Sequence, residues 1–275
     1  MFQLKRILFP VDFSERCRGA AAYVEALAGR FEAELILLHV IEPAAYNRTL
    51  SEEPLVGPRE IMAFFGDDLK YLRTEILIQH GEAARKIVEC AAGSHADLIM
   101  MPTQGLGIYR RLIIGSNTAK VLHDADCPVW TGVHLENAPP LEKVHTDRIL
   151  CAVDLKRPSA LVLDWANQLA KEYQAELTLL HVTSGRVTSD LITSDPGVSD
   201  EEARDALQEL QKAVGSNAAI RILDGDPAKL VAETARELGA DLLVIGRRAE
   251  IGLLGRLEVT AYSIIRQSPC PVVSV

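Results

Sequence analysis

Aromatic side chains make up only 5% of this 275-residue chain, so its core has to be built from aliphatic residues within a hydrophobic share of 48%. The apolar runs are strand-length, far short of the roughly 20 residues that a membrane helix needs, and no membrane span is expected. Cysteine is scarce as well: Cys17, Cys90, Cys127, Cys151 and Cys270 include no C-x-x-C pair, and their odd number argues against a disulfide framework. Reduced thiols are expected, with Cys127 and Cys270 buried because each precedes proline at the entry to a strand. Positive charge is short, since 29 Lys and Arg face 38 Asp and Glu, and the basic residues are scattered rather than striped. This argues against a nucleic-acid partner. The net charge of −9 also repels an anionic nucleotide, so a phosphate site has to be made locally from backbone amides and a few side chains. No G-x-S-x-G elbow, Walker A loop, paired-carboxylate constellation or G-x-G-x-x-G after the first strand is found, and no catalytic residue is assigned. The stretch Met1 to Arg6 runs straight into an apolar strand without room for a signal peptide, and a cytoplasmic location is expected.

What the chain does have is a duplication. Arg6-Ile7-Leu8-Phe9-Pro10-Val11-Asp12 returns as Arg148-Ile149-Leu150-Cys151-Ala152-Val153-Asp154, an offset of 142 residues. The stretch from Ala33-Glu34-Leu35 to His39-Val40 returns as Ala175-Glu176-Leu177 to His181-Val182. Ala96-Asp97-Leu98 and Cys127-Pro128-Val129 return as Ala240-Asp241-Leu242 and Cys270-Pro271-Val272. Two domains, 1–134 and 147–275, are therefore expected, with residues 135–146 as a linker containing Asn137, Pro139 and Pro140.

Each copy alternates apolar runs with helical periodicity, the pattern of a parallel sheet covered on both faces. In the first copy strands are expected at Ile7 to Val11, Leu35 to Val40, Ile76 to Gln79, Asp97 to Met101 and Pro128 to Val133. Ser14 offers an N-cap for the first helix. A second helix follows the Pro54 to Pro58 loop and ends near Tyr71, with further helices over Ala83 to Ala92 and Asn117 to His123. The second copy repeats the strands at Ile149 to Val153, Leu177 to Val182, Ala219 to Leu223, Asp241 to Ile245 and Pro271 to Val275. The fold class is α/β: two doubly wound, Rossmann-like domains, each a five-stranded parallel sheet of order 3-2-1-4-5.

Ligands of such sheets bind beyond the carboxyl ends of the strands, at the switch point. In the first copy that edge gathers Pro10-Val11-Asp12, His39-Val40 and Met101-Pro102-Thr103-Gln104-Gly105, the last leading to Gly115-Ser116-Asn117 at a helix start. Glycine lets a backbone approach phosphate, and the helix amides with the Ser116 hydroxyl donate to it. Arg110 and Arg111 in the spacer add local positive charge.

These residues, together with Leu37-Leu38-His39-Val40 and Cys127-Pro128-Val129, resemble the universal stress protein family over both copies. The resemblance implies ATP, with or without Mg²⁺, held by a loop G-x2-G-x9-G-[S/T]. Its positions are Pro102, Gly105, Gly115 and Ser116 here, and the first glycine is thus replaced by a proline that has no amide hydrogen. By the same resemblance Asp12 meets the ribose or the metal side, Val40 the adenine, and Gly105, Gly115 and Ser116 the phosphates. The final strands pair between subunits in the family, so the two copies resemble a covalent pseudo-dimer, with a homodimer of whole chains as a further expectation.

In the second copy Gly246 stands at the first loop position, Ala249 at the second, and Glu258-Val259 where the Gly-Ser pair belongs, so ATP is not expected there. Asp12 and Asp154 also have a structural reading as caps, and His39 and His181 as satisfied core residues. His80 and His123 show no zinc-ligand spacing. Three functions follow: a cytoplasmic stress-response regulator that binds adenine nucleotide and acts through a regulatory protein partner, a nucleotide-free scaffold or small-ligand carrier, and a slow ATPase.

Overall fold

The computed structural model describes residues 2–42, 56–103, 114–132, 135, 139–156, 158–183, 199–247 and 259–275. The chain forms two compact units, Gln3–His145 and Thr146–Val275. In the first unit the elements run β1 (Arg6–Val11), α1 (Glu15–Phe31), β2 (Glu34–Ile41), α2 (Pro58–Phe65), β3 (Thr74–His80), α3 (Ala83–Ser94), β4 (Leu98–Pro102), α4 (Ser116–Asp124) and β5 (Val129–Gly132). The second unit runs β6 (Arg148–Val153), α5 (Ser159–Tyr173), β7 (Glu176–Thr183), α6 (Asp200–Val214), β8 (Ala219–Asp224), α7 (Pro227–Leu238), β9 (Leu242–Ile245), α8 (Val259–Gln267) and β10 (Val272–Ser274).

Among the described residues each unit has five strands in the expected order, β3-β2-β1-β4-β5 in the first and β8-β7-β6-β9-β10 in the second. Neighbouring strands pair in parallel, with Phe9 opposite Leu37 and Cys151 opposite Leu179 in matching register. The central strands are buried on both faces: Ile7, Leu8 and Phe9 of β1 and Leu98 and Ile99 of β4 have no exposed surface. This is why they read as unbroken apolar runs instead of alternating ones.

Ser14 caps α1, its hydroxyl accepting from Cys17 N at 3.1 Å. Helix α2 ends at Phe65, six residues before the expected stop near Tyr71, because Gly66 adopts φ +66° and Leu69 φ +63°, values that break the helical path. Of the Pro54 to Pro58 loop, Pro54 and Leu55 lie outside the described residues, Gly57 is the N-cap of α2 and Pro58 opens the helix. Leu135 is 3% exposed, and a Cβ built on Gly19 of α1 would lie 1.9 Å from Leu135 O. The close approach of that backbone to α1 therefore requires glycine at position 19.

Cys17, Cys90, Cys151 and Cys270 are buried, whereas Cys127 is only partly so. Burial pushes the thiols of Cys17 and Cys151 far up, and the Cys270 thiol up to about 11. No described helix is long and apolar enough to cross a membrane.

Two outcomes are expected. Gly19→Ala should lower stability by about 1–3 kcal/mol, since the new methyl meets backbone and not a flexible side chain; urea unfolding measures it. The Cys270 thiol ionises near 9.0 when unconstrained and near 11 when buried, so its contribution to stability is present below pH 9 and lost as pH rises towards 11. The urea midpoint should fall over that window, and Cys270→Ala should make the fall shallower.

Candidate functional site

The crevice of the first unit lies where β1 and β4 send the chain to opposite faces of the sheet. Pro10 and Val11 end β1, and Asp12 follows at the rim, half-buried. Asp12 Oδ1 accepts from Ser14 N at 3.0 Å and from the Ser14 hydroxyl at 2.6 Å. That hydroxyl in turn accepts from Cys17 N, so a carboxylate, a hydroxyl and a helix amide form one chain that fixes the start of α1. Asp12 thus carries the capping duty that its position suggests, with its carboxylate still at the rim.

His39 lies on β2 opposite Val11, and its Nδ1 is 2.8 Å from Val11 O. A carbonyl only accepts, so Nδ1 carries the proton. His181 repeats the bond with Val153 O at 2.9 Å. Both histidines are therefore satisfied by backbone. Val40, next along β2, is half-buried at the same edge.

On the other side of the crevice, Met101 is 6% exposed and Pro102 ends β4 buried, opposite Gly132 of β5. Two bonds tie the start of α4 to this strand end. Gly115 N donates to Thr103 O at 2.8 Å, and the Thr118 hydroxyl donates to Pro102 O at 3.1 Å. Gly115 precedes α4 at φ −59° with no side-chain cap on the helix, Ser116 is exposed and Asn117 half-buried. The first amides of α4 are thus held beside the strand ends, the arrangement that favours an anion. The amide of Gly115 is itself engaged by Thr103, and the donors at this helix start are those of Ser116 and Asn117. Gln104, Gly105, Arg110 and Arg111 lie outside the described residues.

Sequence reasoning missed Thr118 and an aromatic cluster. Phe13 sits at φ +59°, where a bulky residue costs about 1–2 kcal/mol. Its ring packs edge-on against His39 at 5.0 Å and Phe64 at 5.2 Å. Phe64 adjoins Phe65 at 4.9 Å, Phe65 adjoins Phe9 at 5.7 Å, and the Arg18 guanidinium lies 4.4 Å over Phe64. The signal was available: four of only six phenylalanines gather here. Glu42 and Lys120 were missed as well. Glu42 Oε1 accepts from Ala83 N at 3.1 Å at the start of α3, and Lys120 of α4 pairs with Glu82.

The second unit is furnished differently. Asp154 Oδ1 accepts from Lys156 N at 3.0 Å and the Ser159 hydroxyl at 3.2 Å, while its Oδ2 pairs with Lys156 Nζ at 3.4 Å. A Cβ on Gly246 would lie 3.3 Å from Val162 of α5. In the place of Thr118 stands Ala261, which has no hydroxyl to tie α8 to β9. Ala249 and Glu258 lie outside the described residues.

Fold and crevice together define a tandem of doubly wound α/β domains, each with a switch-point crevice between its first and fourth strands. The model of the universal stress protein family matches residues 3–131 and again 145–275, and the chain belongs to that family. A universal stress protein of Thermus aquaticus is 35% identical over 136 residues, covering 46% of this chain and 96% of the relative. One from Mycolicibacterium smegmatis is 23% identical over 292 residues, covering 98% and 96%. The crystal structure of a universal stress protein from Archaeoglobus fulgidus superposes with a TM-score of 0.68 at 21% identity, covering 99% of this chain and 96% of that one, a likeness of fold.

Because Thr118 holds α4 against Pro102, Thr118→Val should lower stability by about 1 kcal/mol in urea unfolding. The same change should speed amide exchange in the first turn of α4.

Proposed function

We propose that the first unit binds an adenine nucleotide, ATP with or without Mg²⁺, and that the chain acts as a cytoplasmic stress-response regulator through a protein partner that senses occupancy. The observation that carries this reading is the start of α4, which carries no side-chain cap and is tied to the end of β4 by Thr118 and Gly115. Phosphates would meet the amides of Ser116 and Asn117 and the Ser116 hydroxyl, the helix dipole adding to the attraction. Val40 and Met101 would flank the base, and Pro10, Val11 and Asp12 would face the sugar. Gly105 would complete the phosphate loop. No side chain in this arrangement is assigned to chemistry, so binding rather than turnover is the proposed activity.

A second reading is favoured by one observation. Gly115 N already donates within the protein and Pro102 has no amide, so two backbone donors of the phosphate loop are absent. On this reading the first unit is a nucleotide-free scaffold or carries another small ligand.

Equilibrium dialysis with labelled ATP, with and without Mg²⁺, separates the two. Saturable binding is expected, weakened about tenfold by Ser116→Ala and more by Gly115→Asp. No binding at millimolar ATP would leave the scaffold reading standing.

A further inference from the structure

Two polar atoms are left over at the carboxyl edge of the second unit's sheet. Among the described residues, Arg247 Nε and Ser274 Oγ are buried and meet no hydrogen-bond partner. Arg247 is 3% exposed and Ser274 has no exposed surface. Arg247 has other interactions of its own, so a single N–H is left over and not the residue. The matching positions of the first unit, Thr103 and Thr131, leave no such atom, and the Thr103 hydroxyl donates to Gly132 O at 3.1 Å. A buried donor that has lost water without gaining a partner is costly, and a ligand oxygen offsets that cost.

The two atoms belong to one face. Ser274 of β10 lies opposite Ile245 of β9, and paired residues of a sheet point to the same side. Arg247 N donates to Val275 O, so the ladder geometry extends to position 247, which shares its side with position 245. That side is turned away from α5, because a Cβ on the intervening Gly246 would lie 3.3 Å from Val162 of that helix. Gly246 and Val275 are half-buried, which sets Arg247 and Ser274 just beneath the rim. The guanidinium and the hydroxyl do not bond to each other.

We infer that the second unit binds the carboxylate of a small organic acid at this edge, one oxygen accepting from Arg247 Nε and the other from the Ser274 hydroxyl. A guanidinium stays charged at any physiological pH, and two separate donors on one face match the two oxygens of a planar carboxylate. A phosphate dianion presents more oxygens than these donors satisfy, and Glu258-Val259 stand where the family loop has its Gly-Ser pair. The rim aspartate of this unit is offset, since Asp154 pairs with Lys156 Nζ at 3.4 Å. The second unit thus has a ligand chemistry of its own, independent of the nucleotide reading for the first.

The whole chain, labelled with nitrogen-15, is titrated with sodium acetate, sodium phosphate and sodium chloride at equal ionic strength while the Arg247 Nε–H resonance is followed by NMR. Acetate is expected to shift that resonance saturably, and chloride not at all. Ser274→Ala should weaken acetate binding about tenfold. Arg247→Lys, which keeps the charge and loses the Nε–H, should abolish it, as read from the amides of Gly246 and Val275. If Arg247→Lys does not fold, Ser274→Ala carries the test. That variant deletes a hydroxyl with no partner, so its urea midpoint without acetate should not fall. Equal responses to acetate and chloride, tighter binding of phosphate than of acetate, unchanged acetate affinity in Ser274→Ala, or a lowered urea midpoint in that variant each overturn the inference. None of these results bears on ATP binding by the first unit.

Discussion

A strand inside a parallel sheet needs a backbone donor for every acceptor on both edges, and the candidate site of this protein lies where that supply stops. Between β1 and β4 it stops after Leu8 and Ile99, two rows earlier than between β6 and β9. Everything else at the rim is arranged around that parting. Asp12 and Ser14 start α1 on one side of it, while Pro102, Thr103, Gly115 and Thr118 fix the start of α4 on the other. The interior below needs no such devices, since strands buried on both faces are stabilised by aliphatic burial and an unbroken ladder.

The duplication provides an internal comparison for each part of this arrangement. The bond from histidine to the strand carbonyl is kept in both units, as is the positive φ of the residue after the rim aspartate, Phe13 and Leu155. These belong to the fold. What differs belongs to the crevice: Asp12 bonds to the hydroxyl that caps its helix, whereas Asp154 pairs with the Lys156 ammonium and accepts from the Ser159 hydroxyl. Thr118 gives way to Ala261, and Pro10 and Pro102 to Ala152 and Gly246. The substitutions fall on hydrogen-bonding capacity at the strand ends and leave the hydrophobic interior of each unit in place.

Aromatic residues show a similar economy. A chain with so few of them places Phe9, Phe13, Phe64 and Phe65 together beside the end of β1. Contacts with His39 and Phe64 hold Phe13 in a backbone conformation that its side chain disfavours, so the strain at the rim is balanced by edge-on packing directly beneath it.

The sequence by itself determined the duplication, the α/β class, the strand order and the segments that meet at the carboxyl edge. It did so because repeat, apolar run length and glycine spacing are properties of the chain read in order. It also located Pro102 and the loss of an amide there, and placed a second helix after the Pro54 to Pro58 loop, but not its early stop at Gly66, where backbone dihedrals decide. Only the tertiary structure showed that Gly115 gives its amide to Thr103, that Thr118 reaches back to Pro102, 16 residues earlier, and that Gly19 is required by Leu135. It alone showed that Arg247 and Ser274, far apart in the chain, share one face of neighbouring strands. Such facts depend on which side of a strand a peptide group points to and on what the fold brings opposite it, and that information arises only when the strands are paired.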